Sequence, residues 1–320
     1  MEQGSELQKP YSYFEFLKRI LRHRSIIVWA TISALALLLA IFAEIQILSI
    51  FSELPPIVGL WFLLVIFVIF AIPRNRDTEI GITGLTISKL SIILLVALLG
   101  LVISFQSESF YISNLIQLVF MFLIPLLIVV FTTEIDRQRL GLFIGNHKNL
   151  KWALIIGFLY GLLVLVLIGA PNLIAAIHQY LPSNWMQFIP SALFIAVVII
   201  LFAVSIPEEF LFRAVVQPAM TERLGRVNGI LLSSVIFGLF HSPANFLMYL
   251  IISPLWIDAL IGSVLMAFLF QAQIGLVFGV AYEWTKSLLM PVTLHAIHDI
   301  IEMLPYFIYL VWPVMIVIGF

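Results

Sequence analysis

The chain has 320 residues, of which 62% are hydrophobic and 10% charged, with a net charge of −1 and no cysteine. Soluble globular domains carry about 25% charged residues, and the mean hydropathy here is +1.15, so the composition excludes a soluble domain and indicates an all-α, polytopic transmembrane bundle. The missing thiols exclude disulfides, a cysteine nucleophile and cysteine-based zinc sites, and the balanced charge gives no reason to expect a nucleic-acid partner.

The first 24 residues are polar, aromatic and basic, unlike a cleavable leader. Residues 10–24 mix Tyr11, Tyr13, Phe14, Phe16 and Leu17 with Lys18, Arg19, Arg22 and Arg24, the pattern of a helix lying in the membrane interface or of a basic flank that orients the first span. Apolar runs follow at 26–47, 57–72, 87–105, 112–132, 152–170, 188–207, 228–246, 256–282 and 287–304. Each approaches the length of a span, about 20 residues, with 57–72 short. The tail, 305–320, reads as a tenth span turning at Pro305 or as a half-buried hairpin, giving about nine to ten spans. The stretch 171–187, with Tyr180 and Trp185, reads as an interfacial loop.

The sixteen Lys and Arg residues fall at the N-terminus and in every second connection, and those around 48–56, 106–111, 171–187 and 247–255 hold none. The positive-inside rule therefore sets the N-terminus in the cytoplasm, at the cell membrane if the organism is prokaryotic. Two regions are expected. Residues 1–150 have no assigned role and no ionisable group well inside an apolar run except Glu44, near an outer end. Residues 151–320 form a second region, whose motif core, 188–304, holds nearly all the buried polar chemistry.

That chemistry begins at Ile206-Pro207-Glu208-Glu209-Phe210-Leu211-Phe212-Arg213. An ionisable residue at membrane depth is costly, so it faces a protein interior or wet cavity and is a functional candidate by default. Phe237-Gly-Leu-Phe-His241 and His295-Ala-Ile-His298-Asp299 follow on later helices. A rise of about 1.5 Å per residue puts His241 roughly 20 Å from the cytosolic end of its helix, His295 and Asp299 roughly 13 and 19 Å, and Glu208 roughly 18 Å. All lie near the bilayer midplane, within reach of one cavity. Glu209 and Arg213 are i and i+4, as are His295 and Asp299, so each pair shares a helix face. Pro207 is expected to bend its helix and free a carbonyl. Low-dielectric surroundings disfavour the charged forms of carboxyl and imidazole alike, which suits proton exchange between them. A carboxylate can then activate water while imidazole N–H groups stabilise an oxyanion. The same groups are zinc ligands, so Glu208, His241 and His295 are the metal set if a divalent ion is used. His298 reads as an interhelical hydrogen-bonding residue.

Glu208-Glu209-x-x-x-Arg213, Phe237-x-x-x-His241 and His295-x-x-x-Asp299, in this order, resemble the motifs of the CPBP family of intramembrane proteases, which includes type II CAAX prenyl endopeptidases and bacteriocin-processing proteins. The resemblance covers about 188–304. It implies that Glu208 and His241 activate the attacking water, that His295 and Asp299 stabilise the oxyanion, and that Glu209, Arg213 and Phe237 support the site. It implies a prenylated or otherwise membrane-associated substrate, with membrane lipids as surroundings. Both a metal-dependent and a glutamate-driven mechanism fit the family, and the second, requiring no cofactor, is the preferred expectation. Position 299 is often Asn in prenyl endopeptidases. An ionised Asp299 would repel an oxyanion, so it must be protonated or must instead orient His295.

Rival intramembrane chemistries lack their motifs: there is no His-Glu-x-x-His, no Gly-x-Ser-Gly and no Gly-x-Gly-Asp. Asp258 reads as interfacial, and Gly157, Gly161, Gly262, Gly275 and Gly279 read as close-packing positions. The alternatives to a protease are an ion- or proton-coupled transporter using the same Glu/His cluster, or a silent scaffold.

Overall fold

The computed structural model describes residues 24–42, 82–83, 85–105, 107, 110–135, 147–179, 181–252 and 255–317. Residues 10–23 of the expected interfacial helix, the short span 57–72 and Glu44 lie outside them. The described chain is an all-α bundle: α1 (Arg24–Phe42), α2 (Ile87–Phe105), α3 (110–132), α4 (147–179), α5 (Trp185–Leu224), α6 (Arg226–Phe240), α7 (Ser242–Ile252), α8 (Trp256–Thr285) and α9 (Leu289–Val317). A two-residue antiparallel ladder, Ile82–Thr83 with Glu134–Ile135, joins the ends of the α2/α3 pair. Among the described residues six helical stretches are long and apolar enough to cross a membrane, and α1 and α4 contain shorter apolar stretches at Ser25–Leu35 and Leu154–Val164. The protein is an integral, multi-pass membrane protein. Phe131, Phe158, Phe194 and Ile251 point outward as expected of lipid-facing residues.

Three expectations are corrected. The stretch 171–187 is helical as far as Gln179, because α4 continues through Pro171, whose missing N–H follows directly on the π-helical turn Leu165–Gly169. The connection 247–255 is shorter than its lack of charge implied, since α7 continues to Ile252. The tail neither turns at Pro305 nor folds back. α9 runs through Pro305 and Pro313 to Val317. An interior proline costs about 3 kcal/mol of helix propensity, and packing offsets it: Phe307, Ile308 and Val311 are buried in one cluster with Phe188, Ala192, Ala196 and Ile200 of α5.

α5 is the element that positions the site. It is 40 residues long and carries two π-helical segments, Ile200–Ser205 and Phe210–Val216, on either side of Ile206–Glu209. Such wide turns arise where the i→i−4 ladder is interrupted, and Pro207, with no N–H, interrupts it here. Every residue from Pro207 to Val216 is buried, so this part of α5 is enclosed on all sides by protein. Gly225, at φ +78°, ends α5 and allows α6 to start at once alongside it.

α6 packs against both α5 and α8, and α9 packs against α4, α8 and the first half of α5. The α6–α8 approach is close at Gly238, where a Cβ would lie 2.4 Å from the Ala267 carbonyl oxygen. The N-terminal region joins the same body. Leu90, Ile93 and Ala97 of α2 and Met121 and Val129 of α3 share a core with Phe210, Leu211, Phe212 and Phe237. From α1, Trp29 Nε1 donates to Gln273 Oε1 at 3.3 Å, and Gln273 Nε2 donates to Ser33 Oγ at 3.1 Å.

Candidate active site

α5, α6 and α9 bring all seven motif residues together. At the centre is Glu208, whose side chain is 9% exposed. Its Oε2 lies 3.8 Å from His241 Nε2 and 3.9 Å from His295 Nε2. These gaps exceed a direct hydrogen bond and match the span that one water bridges. Glu208 Oε2 is buried with no hydrogen-bond partner. Among the buried polar atoms in this state, it is the carboxylate oxygen that two imidazole nitrogens face.

The two histidines are held differently. His241 ends α6, and its Nδ1 donates to the Phe237 carbonyl one turn back at 2.9 Å. A carbonyl only accepts, so Nδ1 carries the hydrogen and Nε2 of the neutral ring faces Glu208 with a lone pair. His295 lies between two carboxylates: Nδ1 donates to Glu209 Oε1 at 2.8 Å, and Nε2 is 3.3 Å from Asp299 Oδ2. Its ring stacks on Phe278 (5.0 Å between centroids, 25°) and meets the edge of Phe237 (6.0 Å, 76°). Packing and hydrogen bonds together fix its orientation.

Glu209 and Arg213 form the expected i, i+4 pair, Nε donating to Oε2 at 2.9 Å, with both side chains fully buried. The guanidinium lies 5.1 Å from the Phe237 ring centroid, within cation–π range. Phe237 therefore touches Arg213, His241 and His295 at once, which explains its place in the motif. Arg213 is a site residue and not a loop charge, so it drops out of the positive-inside pattern. The site is least covered at His241, whose side chain is 31% exposed, and at Asp299, 19% exposed.

A second group of possible ligands gathers beside the site: the ligand atoms of His298, Asp299 and Glu302 all lie within 4.8 Å of one another. His298 does make the interhelical bond expected of it, from Nδ1 to Tyr160 Oη at 3.1 Å. Sequence reasoning missed Tyr160, Phe278 and Glu302. Only Glu302 left a usable signal, four residues beyond His298 on the same helix face.

Residues 190–301 match the family model described as type II CAAX prenyl endopeptidase Rce1-like, and no protein of curated function and no solved structure matches the chain. The match spans about a third of the chain and includes every motif residue from Glu208 to Asp299, while α1 to α4 lie outside it. The segment that carries the Glu208, His241 and His295 cluster matches the Rce1-like family model, in line with the family its three motifs resemble.

Proposed function

We propose that the protein is an intramembrane endopeptidase that hydrolyses a peptide bond near the C-terminus of a lipidated, CAAX-type or otherwise membrane-associated protein, with a water activated by Glu208 and His241. The observation that carries this reading is the partnerless, buried Glu208 Oε2 set within 4 Å of two imidazole nitrogens. A water between Glu208 Oε2 and His241 Nε2 would donate to both, which raises electron density on its oxygen. That oxygen attacks the scissile carbonyl carbon, and one water proton passes to Glu208. His295 Nε2–H stabilises the oxygen that becomes negative. The proton on Glu208 then goes to the leaving nitrogen as the C–N bond breaks, giving a carboxylic acid and an amine, and transfer of the acid's proton leaves a carboxylate and an ammonium group.

In this scheme Asp299 is a positioning residue: its 3.3 Å contact with His295 Nε2 suits orienting the ring, and an ionised carboxylate does not suit an oxyanion contact. Asp299→Asn keeps an acceptor there and should hold kcat within about tenfold of wild type, whereas Asp299→Ala should lose on the order of 100-fold. KM should be unchanged in both. An Asp299→Ala enzyme with wild-type kcat would remove Asp299 from the mechanism.

A divalent ion held by Glu208, His241 and His295 would supply Lewis-acid polarisation of the carbonyl. The donor set suits such an ion as well as a water, and chelator treatment separates the two. The reaction is read as glutamate-driven. The lysine and arginine pattern supports a cytosolic N-terminus.

The substrate class is tested with three membrane-tethered peptides: a prenylated CAAX-type sequence, the same sequence without the lipid, and an unlipidated transmembrane peptide. The prenylated peptide should be cleaved with at least about tenfold higher kcat/KM, equivalent to about 1.4 kcal/mol of recognition. Equal cleavage of all three would reject the lipidated class.

A further inference from the structure

One turn along α9 from His295, a second cluster lies outside the catalytic contacts. His298 is 4% exposed. Its Nε2 is 3.4 Å from Glu302 Oε2, and Asp299 completes a set of three ligand atoms lying within 4.8 Å of one another. The imidazole is aimed by a residue from another helix. Tyr160 of α4 sits with its hydroxyl 3.1 Å from His298 Nδ1, and the two rings stack at 6.1 Å and 26°. Tyr160 is itself fixed against Phe278 by an edge contact at 6.3 Å.

We propose that His298, Asp299 and Glu302 form a divalent transition-metal site of the zinc class, with Tyr160 as its orienting residue. Three independent features support it. Metal-ligating histidines use the other ring nitrogen to bond an orienting partner, which sets the tautomer; Tyr160 Oη, 3.1 Å from Nδ1, can accept from an Nδ1–H and so leave the Nε2 lone pair to a metal. A divalent ion with two carboxylates and a neutral imidazole sums to zero charge, the favoured state at membrane depth. One nitrogen and two oxygens, with positions left over for water, match zinc and its first-row neighbours better than magnesium or calcium.

The cluster is distinct from the proposed hydrolytic centre, although Asp299 belongs to both. Glu302 and Tyr160 lie outside the family match, and the site does not depend on the protease reading. The ion is not needed for the hydrolysis described above.

The test is titration of the full-length, detergent-purified protein, first stripped with chelator, with zinc chloride read by thermal unfolding. Cobalt chloride, read by its d–d absorption, reports the donor set independently. Wild type should gain thermal stability with increasing zinc. Glu302 is half exposed, so Glu302→Gln folds, and it should weaken binding at least tenfold. Tyr160→Phe should weaken it by about tenfold. Glu208→Gln should bind as wild type does. Absence of a shift at millimolar zinc, an unchanged affinity in Glu302→Gln, or loss of binding in Glu208→Gln would each overturn the assignment.

Discussion

Glu208→Gln is expected to lower kcat for peptide cleavage by 10²–10⁴-fold, the range a positioned general base supplies, with the protein folded and KM little changed. The substitution preserves shape and leaves an amide that cannot take a proton from water. His241→Ala should fall in the same range, because it removes the second acceptor facing that water, whereas a merely structural histidine would change stability and not turnover. The two losses should be strongly non-additive: the double variant should be scarcely slower than either single one, as expected of groups acting on one water. Independent, multiplying losses would mean that they serve separate steps. The measurement is steady-state cleavage of a membrane-tethered peptide by each variant, with thermal unfolding as the control for folding.

Arg213→Ala is expected to destabilise the protein by about 3–5 kcal/mol, the cost of leaving a buried carboxylate unpaired. Both Glu209 and Arg213 are fully buried, and Glu209 also holds His295 through its other oxygen. Losing the guanidinium therefore frees the carboxylate that aims the histidine, so activity should fall along with stability. Replacing the pair together, Glu209→Gln with Arg213→Met, should recover most of the stability, since two neutral groups of similar volume carry no unpaired charge. It should not recover activity, because the charged acceptor for His295 is gone. Thermal unfolding and turnover of the three proteins separate these effects. An Arg213→Ala protein as stable as wild type would show that the pair is hydrated.

The helical class and the site constellation were legible in the sequence for different reasons. Runs such as 87–105 and 112–132 are apolar over the length of a bilayer, and nothing but a helix satisfies their backbone there. Glu208, His241 and His295 stood out because charge at membrane depth needs an explanation. The approach of both imidazoles to within 4 Å of Glu208 depends on tertiary packing of three helices, and the depth estimate placed them only at a common level.

The α9 tail was misread because Pro305 is a breaker by local rules. Its effect is overridden by the buried contacts of Phe307 and Ile308, which propensity does not contain. The π-helical winding around Glu208 and the stacking of Phe278 on His295 left no sequence signal, since neither has a spacing rule. Tyr160 was invisible for the same reason, lying 138 residues from the histidine it orients.

The central claim is that a water held by Glu208 and His241 cleaves a peptide bond without a metal. It is tested most directly by cleavage of a membrane-tethered, prenylated peptide by purified wild type and Glu208→Ala, each with and without chelator. The account predicts wild-type turnover that persists in chelator and is abolished in the variant. Turnover lost in chelator and restored by zinc, in wild type and in Glu302→Gln alike and with the fold intact, would contradict the glutamate-driven mechanism. Folded wild type and Glu208→Ala that are equally inert toward every substrate would contradict the protease reading itself and favour an ion-coupled role for the cluster.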